Sequence, residues 1–198
     1  MQFFKSLILT FCIFSFPEQG QTDQYKALLN IALNFRGQIF INVKPLTKIR
    51  IEESDFKDNF EDYRELLKEM DTITLFQIFK NSKHLDTLNW TDAELDRFLL
   101  VQGRGEDAQL KYAIKKFNLT NKEQIKYYRK QINLFNSMDP LDRNIYSYSR
   151  PVFDDSKHFA IIEFDNGHSR LGGGGGIALY KWTGSIWKEL GLLVRWRY

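Results

Sequence analysis

FDNGHSRLGGGGGIALY, residues 164–180, decides how the carboxyl-terminal half of this chain folds. A hydrolase nucleophile elbow would need G-x-S-x-G on a strand-to-helix turn. Gly167-His168-Ser169-Arg170-Leu171 puts a leucine where the second glycine belongs, and His84, His158 and His168 all precede Ser169. A phosphate loop would need G-x-x-x-x-G-K-[ST] before a helix, but Gly176 runs into Ile-Ala-Leu-Tyr. A hairpin fits better, because Asn-Gly is the strongest two-residue turn signal between strands. With Asn166-Gly167 as the turn, Asp165 faces His168, Glu163 faces Arg170 and Ile162 faces Leu171, an ion pair beside an apolar pair. The glycines then read as a bulged, close-approach segment leading into the next strand. A longer open loop from Asp165 to Gly175 is the alternative.

Working outward, the chain after Asp139-Pro140 is rich in branched and aromatic residues: IYSYS (145–149), FAIIEF (159–164), IALYKW (177–182), SIWKEL (185–190) and LVRWRY (193–198). Asp154-Asp155-Ser156-Lys157, Asn166-Gly167 and Thr183-Gly184 separate them as turns. Val194, Trp196 and Tyr198 alternate with Arg195 and Arg197, the pattern of a sheet with one buried and one wet face.

Upstream the period changes to helical. Tyr25, Leu28, Leu29 and Ala32 share a stripe within 22–36, which Gly37 stops. Residues 38–43 and 48–52 alternate as strands around Pro45. A helix is expected over 58–70, with Phe60, Tyr63, Leu66, Leu67 and Met70 on one face, and another over 72–79. Thr91-Asp-Ala-Glu94 and Thr120-Asn-Lys-Glu123 both fit the capping box that opens a helix. The first precedes Leu95, Phe98 and Leu99; the second precedes Ile125, Tyr128, Ile132 and Phe135. Leu110, Ala113, Ile114 and Phe117 make a further stripe between them. Helices first and an antiparallel sheet last predict an α+β fold, with amino-terminal helices packed on a carboxyl-terminal antiparallel sheet of four to five strands.

The amino end reads as an address. Lys5 precedes an apolar stretch from Leu7 to Phe16, closed by Pro17, which is the layout of a secretory signal and too short for a membrane span. Residues 1–20 are expected to be that signal and 21–198 a single α+β domain, secreted or periplasmic, with no transmembrane segment in the mature chain. Cys12 would leave with the signal, which removes disulfides and thiolate chemistry. The net charge of +3 over 198 residues gives no pull toward nucleic acid. No motif calls for a cofactor.

SRPVFDDSKHFAIIEFDNGHSRLGGGGGIALYKWTGSIWKELG resembles the carboxyl-terminal part of uncharacterised secreted bacterial proteins, which share Ser-x-Pro-[Val/Ile]-Phe, a Gly-rich segment and Gly-x-x-Trp-Lys. The likeness covers the last 50 residues or so and implies a secreted setting without an activity. Some of those proteins carry Cys-Gly pairs in the glycine segment; this chain has none.

Candidate sites are few. His158 and His168 lie at opposite ends of the strand 159–164, roughly 20 Å apart at about 3.3 Å per residue, too far to share a metal. Glu163 and Asp165 fall on one strand face, close enough to perturb each other as an acid–base pair would, but Arg170 opposite Glu163 suggests an ordinary surface pair. Trp187, Lys188, Arg195, Trp196 and Arg197, with His168 and Arg170, are the candidate binding residues, since Trp and Arg anchor interfaces. The expected function is a non-catalytic binding or interaction module whose partner is an envelope protein or glycan. A small hydrolase of envelope polymers is one alternative. Another is a small-ligand binder with a cone-shaped pocket, resembling the nuclear transport factor superfamily in layout.

Overall fold

Apolar runs at the carboxyl end pair into one antiparallel sheet in the computed structural model, which describes residues 18–33, 39–50, 64–101, 105–140, 142–143, 145–167 and 172–198. The fold is α+β, helices first and sheet last. In chain order the elements are α1 (Glu18–Ala32), β1 (Phe40–Asn42), α2 (Arg64–Leu67), α3 (Thr72–Ser82), β2 (Leu99–Val101), α4 (Glu106–Phe117) and α5 (Lys122–Ser137). The sheet follows: β3 (Ser147–Tyr148), β4 (Val152–Phe153), β5 (Phe159–Asp165), β6 (Gly174–Trp182) and β7 (Trp187–Arg197). β5 and β6 are central. β7 lines one edge, and β3 and β4 share the other.

The register differs from the one the Asn-Gly turn predicts. Asp165 pairs with Gly175, Glu163 with Ile177 and Ile162 with Ala178, so the longer connection is the one the chain uses. The cause is apolar burial. A two-residue turn would set Gly172, Gly173 and Gly174 against Ile161, Ala160 and Phe159 and run Ile177–Tyr180 past the end of the hairpin, whereas the observed register sets one apolar run against the other. Asn166 closes the ladder: its amide donates to the Gly174 carbonyl at 3.0 Å, and its Oδ1 accepts from the Gly174 amide. Gly167 follows at φ 65°, a conformation glycine adopts without strain.

The wet face is also absent at the sheet's centre. Ala160, Ile162, Ala178 and Tyr180 pack against Leu28, Leu29 and Leu33 at the α1 end of the chain, with Trp90, Leu95 and Phe98. Ile161, Ile177, Leu179 and Leu193 pack on the other side with Met70 and with Leu75, Ile78 and Phe79 of α3. Clean alternation survives only near the end of β7, an edge. The runs 185–190 and 193–198 are one strand rather than two, with register shifts between Ile177 and Ala178 and between Leu179 and Tyr180 that each leave one extra residue on β7.

The opposite edge is also bulged. Tyr148 pairs with Phe164, but Val152 pairs with Ile161, leaving one extra residue between β3 and β4. Ser149 fills the gap: its amide donates to the Glu163 carbonyl at 2.8 Å, and its Oγ accepts from the Glu163 amide at 2.9 Å. The bulge turns Arg150 inward, to 8% exposure.

Upstream, β1 pairs in parallel with β2, not with 48–52, of which residues 48–50 are irregular and 51–52 lie outside the described residues. The Thr91 capping box does form: Thr91 Oγ1 accepts from the Glu94 amide at 3.3 Å, and Glu94 Oε2 from the Thr91 amide at 2.9 Å. It closes a turn rather than opening a helix, because Leu99 is already committed to β2 and too few residues remain for helical propagation. The second box is displaced by one residue. Asn121, not Thr120, caps α5, its side chain accepting from the Glu123 amide at 2.8 Å. β1, β2, α4 and α5 enclose a third core of Leu99, Leu110, Ala113 and Ile132. Phe60, Tyr63 and Gly37 lie outside the described residues.

Candidate functional site

The glycine stretch has its structural role at one corner of the sheet. Gly174, Gly175 and Gly176 lie opposite Arg197, Trp196 and Arg195. A Cβ on Gly175 would come 2.5 Å from Trp196 Cζ2, one on Gly174 would come 2.6 Å from the Trp196 carbonyl oxygen, and one on Gly176 would come 2.7 Å from that of Val194. Only glycine lets the Trp196 ring lie across β6 toward Asp165. The expected close approach is therefore present.

On that face Arg50 covers two buried carboxylates. Its amide donates to Glu163 Oε2 at 2.6 Å, its Nε lies 3.2 Å from Glu163 Oε1, and its Nη1 lies 2.6 Å from Asp165 Oδ2. Arg50 Nη1 also donates to the Tyr198 hydroxyl at 2.9 Å, and that hydroxyl donates to Asp165 Oδ2 at 3.0 Å. The guanidinium sits 5.1 Å from the centre of the Trp196 ring, a cation–π contact. Glu163 is 0% exposed. Burial pushes its carboxyl up to about 7; the Arg50 amide and charge offset part of that effect, and Asp165 adds to it. Ile177, not Arg170, stands opposite Glu163 in the ladder, and the pair that Glu163 makes among the described residues is with Arg50.

The candidate binding residues divide. Trp187 is 2% exposed and fills the core, its Nε1 donating to the Gln24 carbonyl at 2.9 Å. That leaves it no face for a partner. Lys188 is exposed but seven residues from Arg195, about 20 Å along an extended strand. Arg195 and Arg197 are exposed on the face opposite Trp196, beside Gly176 and Gly174. Among the described residues neither has an ion-pair partner. Trp196 is half-buried. His168 and Arg170 lie outside the described residues.

A second node is built on Arg150. Its Nη1 donates to Glu94 Oε1 and, at 3.0 Å, to the Tyr25 hydroxyl; its Nη2 donates at 3.2 Å to the carbonyls of Leu88 and Asn89. Asp86 Oδ2 lies 3.1 Å from Nε, and the guanidinium stacks 4.6 Å from the Trp90 ring centre. Asp86, Glu94 and Arg150 lie too far apart in sequence for spacing to connect them.

Two concavities stand out among the described residues. A gap of about 10 Å³ between α1 and the sheet, lined by Tyr148, Phe164, Tyr180 and Glu189 among others, has room for one water. A surface cleft of about 750 Å³ lies between the 92–96 turn and α4. On its wall Asp92 is already paired, its Oδ1 accepting from Lys116 Nζ at 2.7 Å and from the Tyr112 hydroxyl. No group of three or more His, Cys, Asp or Glu among the described residues is placed to hold a metal. No helix among them is long and apolar enough to cross a membrane. Protein-family models, curated proteins and solved structures offer no match to this chain.

Proposed function

We propose that the chain is a non-catalytic binding module of the cell envelope, secreted or periplasmic, whose partner is an envelope protein or glycan bearing acidic groups. The observation that carries this reading is the pair Arg195 and Arg197 on the edge strand β7, set beside glycines and without ion-pair partners among the described residues. Two guanidiniums at strand spacing over a floor of bare backbone suit planar, bidentate anions such as carboxylates. The likeness of the carboxyl-terminal region to secreted bacterial proteins supports the envelope setting. The hydrolase reading is weaker, because Glu163 is wholly buried beneath Arg50 and out of a substrate's reach. The small-ligand reading needs more room than the gap beside Tyr180 provides.

Crosslinking in the native envelope, followed by recovery of tagged 21–198 and mass spectrometry, tests the proposal. One partner at near-stoichiometric yield, lost in Arg195→Ala/Arg197→Ala, supports it. Recovery that the double variant leaves unchanged, or no partner above background, would sink it.

A further inference from the structure

α5 presents a surface that neither the core nor the proposed β7 site uses. Its sequence, KEQIKYYRKQINLFNS, holds four basic residues and one acid. Ile132 and Phe135 point into the core, with Tyr128 packed beside them. On the outside, Tyr127 is 52% exposed and Leu134 51%, seven residues apart and therefore on one ridge, and Met138, just past the helix, is 39% exposed on the same line. Lys122, Lys126 and Lys130 form an adjacent ridge at i, i+4 spacing, all exposed, with Arg129 next to it.

The arrangement works against folding. Like charges at i, i+4 repel one another in a helix, and among the described residues none of these four basic groups has an ion-pair partner. The single acid, Glu123, sits in the first turn, where it complements the helix dipole. An apolar ridge running beside an uncompensated basic ridge fits a flat anionic interface. Tyr, Leu and Met enter the headgroup boundary, and long lysine stems lie along it while their ammonium groups reach lipid phosphate. A soluble polyanion would engage the lysines but have no use for Leu134 or Met138.

We infer that α5 docks this protein on an anionic lipid surface. The full chain is sedimented with phosphatidylcholine vesicles and with vesicles of equal parts phosphatidylcholine and phosphatidylglycerol, at low and high salt. Binding is expected only to the anionic vesicles and is released by salt. Lys126→Gln/Lys130→Gln weakens it by about five-fold per lysine. Leu134→Ser weakens it by about ten-fold, and Tyr127→Ser serves as a second apolar variant should Leu134→Ser change the circular dichroism spectrum. Failure to sediment with phosphatidylglycerol vesicles overturns the inference. Equal binding to both vesicle types also overturns it. So does anionic binding that both apolar variants leave unchanged, which would mark a plain anion patch.

Discussion

Arg50 and Arg150 each gather two carboxylates, a tyrosine hydroxyl and the face of a tryptophan, yet they arrange them inside out. At Arg150 the cation is buried, with its side chain 10% exposed, while Asp86 and Glu94 stand at 50% and 23%. At Arg50 the acids are buried, Glu163 at 0% and Asp165 at 7%, and the arginine side chain is 37% exposed. Where the acid sits near water, hydrogen bonds from Arg150 and Thr91 outweigh the opposing effect of burial and lower the Glu94 carboxyl below its usual range. Where the acid is buried, desolvation wins and Glu163 rises to about 7. A salt bridge is thus characterised by which partner is kept from water, more than by its distance.

The largest break in this comparison is Arg150→Ala. It strips partners from Glu94, from two loop carbonyls and from the Trp90 face, and about 3–5 kcal/mol of unfolding free energy should be lost in urea titration. The Arg50 node predicts a pH effect next. A buried carboxyl with a raised pKa binds its proton on folding, so its contribution is fully present below about pH 4.5 and is lost as pH rises through about 7. The span is about 3 kcal/mol. Glu163→Gln should flatten that limb, and a melting profile between pH 5 and 8 as steep as the parent's would contradict it. Glu94 has the opposite sign: its contribution is present above its ordinary pKa and falls away in more acidic solution.

Gly175→Ala should cost about 1–3 kcal/mol, because its Cβ would meet the Phe164 carbonyl oxygen as well as the Trp196 ring. Trp196 fluorescence reports whether the ring has moved; unchanged emission and unchanged melting would remove the close approach. Asn121→Ala touches neither node. As a lost N-cap it should cost about 1 kcal/mol by thermal melting, a baseline against which the nodes are read.

Much of this was legible in the residues. The stripes Leu28–Leu29–Ala32 and Ile125–Tyr128–Ile132–Phe135 became helices because their period left no competing pattern. The order of helices and strands fixed the class. The register of β5 with β6 was not legible from the turn, since Asn-Gly is a local preference and pairing two apolar runs buries far more surface. The second buried face was hidden because small residues, Ala160 and Ala178, let α1 approach without announcing it. Glu163 and Asp165 stood out as charges inside an apolar strand. Arg50 did not, being 113 residues from Glu163 in a segment whose alternation reads as a strand although residues 48–50 are irregular.

The hydrogen bond between the Trp187 indole and the Gln24 carbonyl spans 163 residues, and α1 rests on strands made last. On a growing chain, Leu28, Leu29 and Leu33 therefore stay without their neighbours on the sheet until the carboxyl-terminal strands are synthesised. Closing so long a loop slows folding, and the waiting apolar helix is open to premature association. For this protein the hazardous interval is its own synthesis, and its length is set by the distance from the first helix to the last strand.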